Sequence, residues 1–369
     1  MDFTAKVGYI CMDKVSTLQP RFGHSRLGDD EAVVSAARDG DELAFGALAE
    51  RYRPELRVHC YRMLGSFEEA EDLVQETFLR AWRSRERFSL EGHWSFRAWL
   101  YRIATNACLN TLTRTPRRVL PSQLGPAGDP TRPVAPPADQ PWLQPFPDHL
   151  LENLVSDEME PETAVLAKET IELAFLAAIQ LLPPRQRAVL ILRDVLGWPT
   201  KEVADLLDSS GASVASALQR ARATLMAHLP SRRVEWSPVA EASAEERAVL
   251  HRYMEAHQRA DIRTLAALLR EDAVGTMPPT PTWYRGRASI LAALRSSFDP
   301  GSEGFIGDLR FIATRANAQP AAACYAKAPG DSRFRAFSLD VLRIDDGQIA
   351  EITSFTPVVF PFFELPGEL

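Results

Sequence analysis

The sequence predicts a multidomain protein: two all-α helical domains followed by an α+β domain of cone or half-barrel type. Three observations lead there. Apolar residues recur at helical spacing from Glu31 to about Thr113, and again from about Glu162 to Leu229. Between these blocks runs a stretch too rich in proline to continue a helix or to form an interior strand. Beyond residue 244, amphipathic helices give way to strand-like runs closed by a hairpin signal at Asp346-Gly347. The chain has 369 residues, more than one compact core usually holds. Its 46% hydrophobic and 25% charged residues are ordinary for globular domains.

Residues 1–30 show no sustained period and read as a poorly ordered extension. The first helical domain is expected over 31–115. Leu43, Phe45, Leu48 and Tyr52 fall at helical spacing, and Leu56, Cys60, Met63 and Leu64 continue the pattern past Pro54. SFEEAEDLVQETFLRAWRSRERF reads as an amphipathic helix with Ser66 as N-cap and acidic residues in its first turn. In the helix from Ser95 to Leu112, the residues Phe96, Leu100, Ile103 and Ala107 make one core-facing stripe. Beside it project Trp99, Arg102, Asn106, Asn110 and Thr113. They offer a ring for stacking, a guanidinium for phosphate and amides for base edges, although spacing equally allows Trp99 to be an ordinary core aromatic. Arg114, Arg117 and Arg118 extend the positive charge.

Residues 116–161 form a proline-rich linker that turns acidic toward its end, and its Trp142 and Phe146 suggest that it lies against something. Over 162–230 the breaks at Pro183-Pro184, Gly197-Trp198-Pro199 and Ser209-Ser210-Gly211 leave four helices. PTKEVADLLDSSGASVASALQRARATL has helix-turn-helix proportions, with Thr200 as N-cap. Val203, Ala204 and Leu207 can pack on Val214, Leu218, Ala221 and Leu225, which leaves Ser213, Ser216, Ala217 and Arg220 outward. A short linker, 231–244, precedes the third domain at 245–369.

Composition excludes little by itself. The net charge of -7 argues against a uniformly basic coat, but nucleic-acid binding depends on local patches, and between Arg51 and Arg118 arginine outnumbers acid. Cys11, Cys60, Cys108 and Cys324 are far apart and lack zinc spacing, so neither a metal nor a cofactor is expected. The N-terminus lacks an apolar run suited to a signal or a membrane span, which points to a cytoplasmic protein.

YRPELRVHCYRMLGSFEEAEDLVQETFLRAW followed by FRAWLYRIATNACLN resembles region 2 of the sigma-70 superfamily. LPPRQRAVLILRDVLGWPTKEVADLLDSSGASVASALQRAR resembles region 4. The order, with a proline-rich connector in place of a third domain, is that of extracytoplasmic-function (ECF) sigma factors, and with the linker it covers somewhat over half the chain. The resemblance implies partners: core RNA polymerase, through its beta-prime clamp helices and beta flap, and promoter DNA in double- and single-stranded form. It places Asp72, Leu73, Gln75, Glu76 and Arg80 on the clamp helices. It assigns the minus-10 element to Trp94, Arg97, Trp99, Arg102, Asn106, Asn110 and Arg114, with the loop from Phe88 to Trp94 capturing a flipped base. The minus-35 element falls to Lys201, Ser210, Ser213, Ser216, Gln219, Arg220 and Arg222, although alanines stand at 215 and 217 where many relatives carry basic residues. The linker would thread the polymerase cleft.

The third domain resembles the SnoaL-like fold shared with ketosteroid isomerase, on its helix-then-strand order, MPPTPTWYRG and the DGQIAEITSF hairpin. In fused sigma factors this domain acts as a regulator. Met277, Trp283, Tyr284, Tyr325, Phe337 and Phe355 are the candidate lining of a ligand pocket, with Asp340 or His251 as acid or base. No catalytic pair stands out, so the expected reading is a sigma factor and not an enzyme. A small-molecule ligand and an anti-sigma factor are further candidate partners. The rivals are a SnoaL-like cyclase or isomerase regulated by its N-terminal helices, and a repressor acting without polymerase. The acidic DLVQETF face argues against the repressor, the missing acid-base pair against the enzyme.

Overall fold

The computed structural model describes residues 27–88, 95–132, 134–151, 170–228 and 243–369. The chain divides into two compact units. One joins the residues up to Arg117 with Ala174–Ser237, and the other joins Arg118–Leu173 with Pro238–Leu369.

The helical unit opens with α1 (Leu27–Arg38) and α2 (Glu42–Leu64). The Asp41 carboxylate accepts from the amides of Leu43 and Ala44 at the start of α2, and Gly65 closes it at φ 70. Leu48, Leu56, Cys60, Met63 and Leu64 are buried as their spacing predicts. Leu43 is not: it is 87% exposed. Five residues separate it from Leu48, which puts the two on different sides of a 3.6-residue helix. In α3 (Phe67–Arg83) the Ser66 hydroxyl accepts from Glu69 N, and in α4 (Phe96–Leu112) the Ser95 hydroxyl accepts from Ala98 N.

Four further helices complete this unit: α5 (Leu173–Ile179), α6 (Pro184–Leu190), α7 (Thr200–Leu206) and α8 (Gly211–His228). A π-type turn, Ile191–Val195, extends α6. Pro199, not Thr200, caps α7, because the first helical bond runs from Val203 N to Pro199 O. Val203, Ala204 and Leu207 are buried, as are Val214, Leu218, Ala221 and Leu225. Ala217 belongs with them at 9% exposed. It lies three residues from Val214 and four from Ala221, hence on the same stripe and not outward.

The second unit carries α9 (Ala244–Gln258), α10 (Ile262–Leu268) and α11 (Arg287–Phe298). Its six strands are β1 (Leu269–Thr276), β2 (Trp283–Arg285), β3 (Asp308–Ala316), β4 (Gln319–Lys327), β5 (Arg335–Asp345) and β6 (Gln348–Phe355). They form one sheet in the order β2-β1-β6-β5-β4-β3, parallel only between β1 and β6. Ala322, Leu342 and Ile352 pack with Tyr253 and Leu265 from the helices. On the opposite face Ala321, Ala323, Tyr325, Leu339, Val341 and Phe355 pack under the 3-10 segment Pro357–Phe363. The expected Asp346-Gly347 hairpin is present, both residues at positive φ. A second two-residue turn, Asn317-Ala318, also takes positive φ, without glycine.

The proline-rich segment is part of this unit. Leu143 and Phe146 are fully buried. Trp283 Nε1 donates to Gly125 O at 3.0 Å, and Gly128 N donates back to Trp283 O at 2.7 Å. Ala135 N reaches the Thr282 hydroxyl, and Ala138 N reaches Pro279 O. Asp148 accepts from Ala318 N at 2.8 Å and Arg315 Nε at 3.0 Å. Phe146 is held against the turn between β3 and β4 by Asn317, whereas Trp142 donates to Ala138 O within the segment itself.

Candidate polymerase and promoter surfaces

Between α2 and α3 lies a groove of about 350 Å³ lined by Phe45, Arg53, Gln75, Phe78, Leu79 and Trp82. Phe45 meets Trp82 edge-on at 5.1 Å, and the Arg53 guanidinium lies 5.3 Å over the Phe78 ring. Glu50 tethers that guanidinium at 2.7 Å, and the bond holds the Glu50 carboxyl below its usual range. Of the expected polymerase residues, Gln75 lines the groove, Asp72 and Arg80 are exposed beside it, and Leu73 and Glu76 are half-buried. Arg80 pairs with Glu76 at 2.6 Å. Leu79, half exposed at 50%, and Trp82 were not singled out by sequence. Their distance of four and seven residues from Gln75 is the signal that places them on its face.

The polar face of α4 is only partly free. Trp99 is half-buried, its ring 5.1 Å from Phe88 and 5.5 Å from Phe96, so core packing and exposure combine in one side chain. Asn106 is half-buried, and Asn110 and Arg114 are exposed. Arg97 faces inward: its Nε donates to Glu55 at 2.8 Å, and its guanidinium lies 5.0 Å over Tyr101. Burial alone would lower the Arg97 pKa, but the Glu55 carboxylate outweighs it and the net shift is upward. Arg97 is thus held in an ion pair with Glu55, its side chain about a third exposed. Tyr101 also donates to Glu55, at 3.2 Å. Below them His59 contacts the Thr105 hydroxyl at 2.9 Å, its pKa pushed down to about 3 by burial and then by Arg62 and Arg97. Arg102 pairs with Asp208 at 2.8 Å. Trp94 and most of the loop from Phe88 to Trp94 lie outside the described residues.

On the helix-turn-helix, Lys201, Ser210, Ser213, Ser216, Gln219 and Arg220 are all exposed. The Ser210 hydroxyl accepts from Ser213 N at 3.2 Å, and Arg220 donates to Ser216 at 2.6 Å. Arg222 is the exception. It makes a two-bond pair with Asp194, at 2.8 and 2.7 Å, because its position on α8 turns toward the α6 extension.

The candidate pocket residues are not brought together. Met277 and Tyr284 pack with the helix-side core, Tyr325 and Phe355 with the opposite core, and Phe337 is 44% exposed. Trp283 is buried and holds the proline-rich segment. Asp340 is buried, accepting from the Tyr253 hydroxyl and the Ser338 hydroxyl, each at 3.0 Å. Burial and then Asp340 raise the Tyr253 pKa well above its ordinary value. His251 is exposed and lies 3.8 Å from Glu255 on the same helix, away from Asp340's partners.

Residues 48–118 match the family Sigma-70 region 2, residues 172–225 match Sigma-70, region 4, and residues 250–352 match the SnoaL-like domain. Fold and surfaces together define a sigma-70-type factor that carries a SnoaL-like domain. Over 334 residues the chain is 43% identical to the ECF RNA polymerase sigma factor SigG of Mycobacterium tuberculosis, covering 90% of this chain and 86% of that protein. The chain belongs to the ECF RNA polymerase sigma factors. It is 28% identical over 200 residues to the ECF sigma factor SigW of Bacillus subtilis, across 53% of this chain and 94% of that one. The structure of the M. tuberculosis ECF factor SigJ matches with a TM-score of 0.57 at 20% identity, covering 87% of this chain and 99% of that one, a likeness of fold. Among the described residues no helix is long and apolar enough to cross a membrane.

Proposed function

We propose that this sigma factor engages the polymerase clamp helices through the groove beside Gln75 and Leu79, and opens the minus-10 element with Trp99, Arg102, Asn106 and Asn110. The observation that carries this reading is the pairing, on one helical unit, of an exposed acidic-apolar face on α3 with an aromatic-amide face on α4. The first suits a protein partner and the second suits unstacked bases. Capture of such bases offsets a melting cost of about 1.4 kcal/mol per base-pair step, so opening requires no covalent chemistry by this chain. Lys201, Ser210, Ser213, Ser216, Gln219 and Arg220 meet the minus-35 major groove. Arg97 and Arg222 support these faces from behind.

The SnoaL-like domain acts as a regulator and not a catalyst, and the cytoplasm is the site of action. Its hold on residues 118–151 supports this, since a segment packed on that domain is withheld from the polymerase cleft. Run-off transcription with purified core polymerase and promoter fragments tests the assignment. Promoter-selective transcripts lost with both Gln75→Ala and Trp99→Ala support it. No transcript from the unaltered chain under any condition overturns it.

A further inference from the structure

Arg102 and Asp208 lie 106 residues apart in sequence and 2.8 Å apart in space. Arg102 belongs to the face of α4 assigned above to the minus-10 element. Asp208 follows the α7 C-cap Leu207 with φ 47, in the left-handed region, and so starts the turn that delivers Ser210 and α8 to the minus-35 element. Two further contacts join the same halves. Trp198, just before α7, meets Tyr101 with the rings tilted at 55° and their centroids 5.1 Å apart, and the Arg97 guanidinium lies 5.8 Å from the Trp198 ring. Arg187 of α6 donates to the Met63 carbonyl of α2.

The names of the two promoter elements put them roughly 25 base pairs apart, about 85 Å along B-form DNA. A side chain at one element cannot remain 2.8 Å from a side chain at the other. The arrangement seen here is therefore incompatible with reading both elements at once, and the Arg102 contact must be broken in an initiation complex.

We propose that Asp208 is an autoinhibitory clasp: it occupies the Arg102 guanidinium in place of promoter phosphate and holds the two DNA-reading halves together until the polymerase draws them apart. This rests on the promoter-reading role proposed for Arg102. Both side chains are exposed, Arg102 at 37% and Asp208 at 71%, so the clasp is weak enough to be displaced and sensitive to salt. Glu55, Arg97 and Arg62 act on Tyr101, the residue before Arg102, and Arg97 and Glu55 are already paired with each other.

The test measures affinity for core polymerase without DNA, using the full chain at low and high salt. Asp208→Asn, Arg102→Gln and the double variant are compared with the unaltered protein, and Asp205→Asn, a neighbouring charge outside the clasp, serves as control. If the clasp resists opening, each single variant and the double bind core about two to five times more tightly, by the same factor, and the gain fades at high salt. Asp205→Asn stays unchanged. The proposal is overturned if the variants bind like the unaltered protein, if the single effects multiply in the double, or if Asp205→Asn matches Asp208→Asn. Failure of the unaltered chain to bind core at all would overturn the sigma reading as well.

Discussion

Phe146 and Asn317 exchange two hydrogen bonds: Phe146 N donates to Asn317 Oδ1 at 2.9 Å, and Asn317 N donates to the Phe146 carbonyl at 2.9 Å. The Asn317 amide also donates to Ile171 O at 2.7 Å. One side chain at a hairpin turn thus ties down two stretches of the segment that joins the sigma regions. Asn317→Gly keeps the positive φ accessible while deleting the side-chain bonds. It should destabilise the second unit by about 1–3 kcal/mol, and hydrogen exchange should show faster amides over residues 143–151.

The groove between α2 and α3 makes a separable prediction. Leu79→Asp and Gln75→Ala alter exposed positions, so the thermal midpoint should hold while core-polymerase affinity falls about tenfold or more for Leu79→Asp. Equal affinity with an intact fold would move the polymerase contact elsewhere.

His59 gives a pH dependence with a definite sign. Its folded pKa, about 3, lies below the ordinary 6.5, so below pH 6.5 the unfolded chain binds a proton that the folded chain refuses. The stabilisation from neutral His59 is full above pH 6.5. It is lost at up to about 1.4 kcal/mol per pH unit as the pH falls toward 3. Urea midpoints of the unaltered protein and His59→Gln at pH 7, 6 and 5 isolate this group, since the carboxylates titrate in both. The variant should show the shallower decline, and parallel curves would refute the assignment.

Arg220 and Arg222 are two residues apart, yet they should fail differently. Arg220→Gln removes an exposed charge and should lower the salt slope of minus-35 binding by about one with stability unchanged. Arg222→Gln breaks the pair with Asp194 and should cost about 1 kcal/mol of stability, with DNA affinity at moderate temperature nearly kept.

Local rules made much of this legible from sequence. The Ser66 and Ser95 caps, the Asp346-Gly347 hairpin and, Ala217 apart, the apolar stripe of the helix-turn-helix each depend on residues a few positions apart, and each is where spacing puts it. What spacing could not give was the partner of a long side chain. Arg97 and Arg222 pair with Glu55 and Asp194, 42 and 28 residues away, and no local pattern announces either partner. The placement of the six candidate pocket residues was hidden for a related reason. The sheet is covered on both faces, and Tyr284 with Met277 pack into one core while Tyr325 with Phe355 pack into the other. Helix α11 was missed because its short apolar run follows the strand-like WYRG.

The chain leaves the helical unit at Arg117, completes the second unit with residues 118–173, and returns at Ala174. On the ribosome, therefore, both sigma regions emerge before the strands that bury Leu143 and Phe146 exist. A newborn chain carries the segment between them bare until translation has passed Phe355, and domains fold as they emerge. The regulation proposed for this C-terminal domain would therefore begin only once its strands have been made. A chain interrupted near Val234 would carry both sigma regions with that segment unhoused and its buried aromatics exposed to chaperones and proteases.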